Sequence, residues 1–274
     1  MTERLRVACI QVNAGNELEK NLKVVADFVR VAKARGAHLV LMPEHVAMMA
    51  WKRDEIIAGA LSANNHTALV TFRALAMELC LWLHCGTIIV LESDSVVVNR
   101  TYVLRPNGTI AAVYDKLHMF DVDLGDRTAY RESLTFLPGD RAVVAKTPWG
   151  GLGLSVCYDL RFPQLYRALA HGGASFFAVP AAFTRTTGVA HWHVLLRARA
   201  IENGCYIFAP AQTGTHVNNR QTYGHSLIID PWGKILADAG DAPGLILAEV
   251  ETARVQWARD IIPSLRHDRP FALP

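Results

Sequence analysis

Apolar and polar residues alternate along residues 5–12 and then run together, as in a strand that enters a core. Leu18, Leu22, Val25, Phe28, Val29 and Ala32 follow at helical spacing, and Asn16 with Glu19 three residues on has the form of a capping box. Gly36 ends that helix, and residues 38–42 read as the next strand. This β–α–β order predicts adjacent strands joined by a helical crossover. A second helix is predicted over 68–80, with Leu69, Phe72, Leu75, Ala76 and Leu79 on its apolar face. Strands are predicted at 82–90, 96–104 and 110–114, the last two joined by the turn Pro106-Asn107-Gly108. From 117 to 140 no period is sustained, and a loop this long in a compact domain is usually functional.

Residues 151–156 form a short apolar run with small residues interleaved, bounded upstream by Pro148 and Gly150. That is a buried strand with glycines where another backbone comes close. A helical pattern starts near Pro163. A strand over 174–179, a helix over 188–203, and strands over 206–211 and 224–229 follow. A turn at 230–233 leads into 234–237, and 244–250 is the last clear strand. The tail from 255 is mixed, with 266–274 extended. Strands interleaved with helices but also joined by hairpins predict an α/β layered protein with mixed pairing.

At 274 residues and 51% hydrophobic, the chain can bury a large core. Nothing resembling a linker or repeat divides it, so one domain over 1–274 is expected. The net charge of +3 comes from mixed charges without a clustered basic face, which argues against a nucleic-acid partner. The absence of a secretory segment and of any long apolar span predicts a cytoplasmic protein that does not engage a membrane. Five cysteines without a CxxC pair argue against a disulfide framework.

Composition leaves the chemistry open; three positions narrow it. Cys157 ends the 151–156 strand just before a helix, and in α/β sheets ligands bind outside the carboxyl ends of strands. Glu44 follows the strand at 38–42, and Lys116 follows the one at 110–114. Taken singly, each has a plainer reading: a small buried thiol, a surface acid, a strand-end lysine. Together, one thiol, one acid and one ammonium at equivalent strand ends make a set with a mechanism.

These residues sit in PEH at 43–45, YDKLHMFDVD at 114–123 and SVCYDLRFP at 155–163. The three stretches, in that order and spacing, resemble the signatures of the nitrilase (carbon–nitrogen hydrolase) superfamily over nearly the whole chain. The resemblance implies an α-β-β-α sandwich, two mixed sheets packed face to face between helical layers, assembled into a homodimer or a higher homo-oligomer. It also implies a hydrolase without a cofactor or metal, acting on a small-molecule amide through Cys157, Glu44 and Lys116. Glu44, sequestered from water, is expected to have a raised pKa suited to moving a proton from sulfur to the leaving amine. Lys116 and the backbone N–H of Tyr158 would face the oxyanion. Glu132 lies where related enzymes place a second glutamate that orients the lysine. A thioester intermediate is implied, then hydrolysis.

Residues 180–206 and 223–234 resemble the omega-amidase and deaminated-glutathione amidase group, and Ala211–His216 followed by Arg220 leans towards the latter. Substrates of that group carry an amide and a 2-oxo acid carboxylate; 2-oxoglutaramate, N-carbamoyl compounds and nitriles are the alternatives. Arg161 is the candidate cation for the carboxylate, and Phe183 and Thr187 are candidate pocket walls. Rival readings are weaker. His191-Trp192-His193 is an HxH, but residues i and i+2 of a helix point apart, and no carboxylate or cysteine completes a ligand set there. A Cys–His hydrolase using His118 or His225 would leave Glu44 and Lys116 unemployed. A nucleotide-binding module lacks GxGxxG, and a non-catalytic partner protein would not need the three residues together.

Overall fold

Alternation along the strands sorts the core into two slabs. In Arg4–Gln11, Leu5, Val7 and Cys9 face one way while Ala8 and Ile10 face the other; in Leu39–Leu41 the outer pair opposes Val40. The first set meets Leu152, Leu154, Phe176 and Ile228 of a second sheet. The other set packs on Leu22, Val25, Val29, Phe72 and Ala76 from the helices Leu18–Ala34 and Thr67–Leu79. A period of two therefore gives each strand of the first sheet one face for a sheet and one for helices. The computed structural model describes residues 4–50, 52–124 and 129–273, apart from the side chain of Asn218.

The first sheet has eight strands. Gly244–Glu251, Arg4–Gln11, Leu39–Leu41, Trp82–His84, Val96–Leu104 and Ile88–Ser93 lie side by side, and Ile110–Asp115 and Phe136–Leu137 both pair with Val96–Leu104. Pairing is parallel through the crossovers and antiparallel at the chain-terminal strand and the hairpins. The second sheet runs Val144–Thr147, Gly150–Leu154, Ala174–Ala178, Tyr206–Ala209, Leu227–Ile229 and Ile235–Asp238. Helices Pro163–His171 and Arg185–Asn203 cover its outer face through Leu165, Leu169, Trp192 and Leu196. The result is the helix–sheet–sheet–helix sandwich.

Four local expectations need correction. The first helix begins at Leu18 with Glu17 as its N-cap, and no side chain caps it, so the Asn16–Glu19 box does not form. The strand expected over 82–90 is two strands, parted at residues 85–87. There Gly86 takes φ +57°, and a β-carbon on it would lie 2.0 Å from the carbonyl oxygen of Pro43. The backbone of the next strand thus presses on the segment that carries Glu44. The loop at 117–140 contains a small hairpin, Asp121–Asp123 with Ala129–Arg131, and a 3-10 turn at Glu132–Leu134. The tail, read as mixed from 255, starts as helix Ala253–Ile261, and a 3-10 turn Ser264–His267 takes the first two residues of the stretch expected to be extended from 266.

Candidate active site

The carboxyl ends of strands from both sheets converge on one cleft of about 200 Å³, whose walls include Glu44, Lys116, Glu132, Cys157, Tyr158, Phe183 and Thr187. Cys157 opens a 3-10 turn immediately beyond Gly150–Leu154, with φ +46°, a left-handed backbone rarely taken by a residue bearing a β-carbon. Its amide donates to the carbonyl of Pro180, just beyond the neighbouring strand Ala174–Ala178 (2.9 Å), which fixes the turn against the end of the sheet. His45, beside Glu44, is likewise left-handed at φ +54°. Strained non-glycine residues on both sides of one cleft are the pattern of a site held in place by its surroundings.

Asp159 secures the turn from behind. Its carboxylate is fully buried; one oxygen accepts from the Tyr114 hydroxyl (2.6 Å) and the Val156 amide (2.8 Å), the other from the His118 amide (3.0 Å) and faces His118 Nδ1 (2.6 Å). Tyr114 ends the strand that delivers Lys116, so this one carboxylate ties the lysine's strand to the cysteine's turn.

Glu44 is 2% exposed. Its Oε1 accepts from Asn99 Nδ2 (2.9 Å) and Lys116 Nζ (3.1 Å), its Oε2 from the Ala182 amide (2.8 Å), and Cys157 shares the cleft wall with it. Gln212 Nε2 donates to the backbone carbonyl of Glu44 (3.0 Å). Lys116, equally buried, directs Nζ at both oxygens of Glu132 (2.9 and 2.7 Å), and Glu132 Oε2 accepts from the Phe120 amide (2.6 Å). One ammonium therefore lies between two carboxylates, one beside the thiol and one from the loop.

The charges of this group overturn one expectation. Burial alone pushes the Glu44 carboxyl up, but the Lys116 ammonium, His45, the Cys157 thiol and the Ala182 amide together hold it down at about 2. Burial followed by the neighbouring Glu44 charge pushes the Cys157 thiol well up, against the pull of Lys116. Burial opposes the Lys116 charge, yet Glu132 and Glu44 raise its pKa. The resting arrangement is thus a neutral thiol, an ionised carboxylate and an ammonium in one cleft wall, with an acceptor ready for the sulfur proton.

Arg161 does not join the cleft walls. Its guanidinium lies 3.3 Å from His191 Nδ1 and over the rings of Tyr158 and Phe183, at 5.9 and 5.4 Å. Among the described residues, Arg131 and Arg220 line the cleft besides Lys116. Arg220 donates to the Ala182 carbonyl (2.9 Å) and lies over the Tyr130 ring. Phe183 packs on Trp192, and Thr187 shares a 2.6 Å hydrogen bond with Thr184 across the first turn of Arg185–Asn203. Neither His118 nor His225 is among the wall residues.

The HxH pair does point apart, His191 to Arg161 and His193 to Asp238. A carboxylate does therefore stand beside His193, brought by a strand 45 residues away, contrary to the sequence expectation. Sequence reading also missed Asn99, Asp159, Gln212 and His45. A polar residue inside the apolar strand Val96–Leu104 was the available signal for Asn99; for Gln212 and Asp159 the partners are known only once the chain is folded.

The carbon–nitrogen hydrolase family model matches residues 6–260. A deaminated glutathione amidase of Synechocystis sp. is 40% identical over 262 residues, covering 95% of this chain and 96% of that protein. The deaminated glutathione amidase of Bos taurus is 38% identical over 271 residues, covering 96% and 82%. The crystal structure of Saccharomyces cerevisiae Nit3, a member of branch 10 of the nitrilase superfamily, superposes with a TM-score of 0.86 at 28% identity, covering 96% of each chain. Fold, motif order and full-length similarity agree: the chain belongs to the carbon–nitrogen hydrolase family and is a hydrolase acting on the carbon–nitrogen bond of amides.

Proposed function

We propose that Cys157, Glu44 and Lys116 form the catalytic triad of an amidase acting on a 2-oxo acid amide such as deaminated glutathione. The observation that carries this reading is the buried Glu44 carboxylate paired with the Lys116 ammonium at 3.1 Å, with Cys157 in the wall of the same small cleft. As Sγ attacks the amide carbon, its proton passes to Glu44. The carbonyl oxygen gains the negative charge and faces Lys116 Nζ and the Tyr158 N–H; one preorganised donor of this kind is worth about 3 kcal/mol of barrier. The carbon–nitrogen bond then breaks, Glu44 returns the proton to the departing amine, and a thioester remains. Water attacks the thioester, Glu44 takes its proton, and the acid leaves as the thiol re-forms. Glu132 is a positioning residue: with both oxygens on Nζ it holds the ammonium where the oxyanion develops.

The substrate assignment draws on the names of the relatives and on the cations of the cleft. A 2-oxo acid carboxylate wants a guanidinium, and Arg220, from the segment after Thr213–Thr215, supplies one in the wall opposite the hairpin residue Tyr130. Arg161, held against His191, takes the lesser role of packing Tyr158 and Phe183.

Purified protein is to be assayed with deaminated glutathione, 2-oxoglutaramate, an N-carbamoyl amino acid and a simple nitrile, following products by mass spectrometry where no ammonia is released. Turnover of deaminated glutathione, lost in Cys157→Ala, is expected. Arg220→Ala should raise KM for the 2-oxo acids by roughly tenfold to a hundredfold, the worth of a charged hydrogen bond, while sparing a neutral amide. Retained turnover in Cys157→Ala would remove the triad from the reaction. Turnover of only the carbamoyl compound or the nitrile would keep the triad and discard the substrate.

A further inference from the structure

His193, His225 and Asp238 come from three separate elements and meet on the surface outside the cleft. His193 is on the helix Arg185–Asn203, His225 follows the strand Gln221–Tyr223, and Asp238 ends Ile235–Asp238. Their donor atoms all lie within 4.8 Å of one another. Asp238 Oδ2 is the shared apex, 3.2 Å from His193 Nε2 and 3.1 Å from His225 Nδ1. Ligands around a four-coordinate zinc-sized ion, at bond lengths near 2.0–2.1 Å, are separated by roughly 3.3 Å, so these spacings already match the edges of a coordination shell. We infer that His193 Nε2, His225 Nδ1 and Asp238 Oδ2 form a binding site for a divalent first-row transition ion such as zinc.

Two further observations favour an ion over a bare hydrogen-bonded clasp. A histidine that binds a metal through one nitrogen characteristically gives the other to a carboxylate or carbonyl. His225 does this: with Nδ1 turned to the apex, its Nε2 lies 3.3 Å from Asp241 Oδ1. The ligands are also positioned before any ion arrives. His225 is held at φ +52°, its carbonyl accepts from Trp192 Nε1 (2.8 Å), and its ring is stacked on Tyr223 at 4.5 Å. Asp238 Oδ1 accepts from the Gly240 amide (2.9 Å) and lies 2.9 Å from His225 Nδ1, so the carboxylate faces His225 with both oxygens and His193 with Oδ2. Side-chain exposures of 28%, 23% and 33% leave a way in from solvent, with room for water to complete the shell. Two imidazoles and one carboxylate suit zinc, nickel or cobalt better than magnesium or calcium, which prefer oxygen.

The test is titration of the full chain with Co2+ alone, followed by visible absorption and by isothermal calorimetry. One ion per chain is expected, with ligand-field absorption but no intense sulfur-to-metal band. His193→Gln and Asp238→Asn should each weaken binding at least about tenfold, a loss that supporting residues alone can cause at such sites. Cys157→Ala should leave binding unchanged, which separates this site from the cleft. Absence of saturable binding would reduce the three residues to a hydrogen-bonded clasp and overturn the inference. Binding that survives both substitutions but is lost with Cys157→Ala would place the ion in the cleft and overturn it equally.

Discussion

Glu44 and Asp159 are both carboxylates buried beside the turn that carries Cys157, and they differ in the kind of partner each one holds. Asp159 accepts from two amides and a hydroxyl and faces one imidazole, groups of the segment around Lys116 and of the residue before the turn, which it ties together. Glu44 accepts from one amide and one carboxamide, and its remaining neighbours are an ammonium and a thiol. Tyr114, Val156 and His118 are not among the cleft-wall residues, and this set acts as scaffold. The second contains a group that loses its proton during the proposed reaction. Burial makes both carboxylates costly to isolate, because an unpaired buried charge is expensive. What separates scaffold from chemistry is whether the carboxylate and its partners stand in the cleft wall.

That contrast can be broken most directly with Glu44→Gln. Lys116 keeps Glu132 as its counter-ion, so the fold should survive, while kcat falls by roughly a hundredfold to ten-thousandfold through loss of the proton acceptor. Steady-state kinetics beside a thermal melt would check it; unchanged kcat would make Glu44 a second scaffold. Asp159→Asn should do the reverse. An amide cannot accept at both of its ends, so buried donors are stranded, at a cost of about 3 kcal/mol and a fall in Tm of roughly 6–12 °C. A melt with Tm unchanged would refute the scaffold role. Tyr114→Phe removes one of the four groups around Asp159 and should cost less, about 1.5 kcal/mol, measured by denaturant unfolding.

The smallest effect is in pH. Because Glu44 is held at about 2, below the ordinary glutamate value of 4.5, its stabilisation is fully present above 4.5 and is lost as pH falls from there towards 2. Wild-type protein should therefore lose stability faster than Glu44→Gln over that window in parallel melts. The same depressed value predicts no acidic limb from Glu44 in kcat/KM between pH 7 and 5. A limb centred near 6 would mean that substrate binding raises this carboxyl.

The sequence read well where a signal is local. Cys157, Glu44 and Lys116 each end an apolar run, and the strands that carry them were visible from alternation. The surrounding motifs resembled one superfamily, and similarity over nearly the full chain bears that family out. The errors were in quantities set by neighbours distant along the chain. Glu44 was expected to titrate high because burial was foreseen, but the ammonium 72 residues away that reverses the shift had no known distance. Distance along the chain likewise hid Arg220, which lines the cleft 63 residues beyond Cys157, and the contact of Arg161 with His191.

By itself, then, the sequence determined most of the elements, the family and the candidate reactive groups, because side-chain period and motif order are properties of neighbouring residues. Only the tertiary structure decided which charges touch. It set the protonation of Glu44 and Cys157, the strap that Asp159 makes between strand and turn, and the meeting of His193, His225 and Asp238. Electrostatic energy depends on separation in space and on exclusion of water, and neither is written into spacing along the chain.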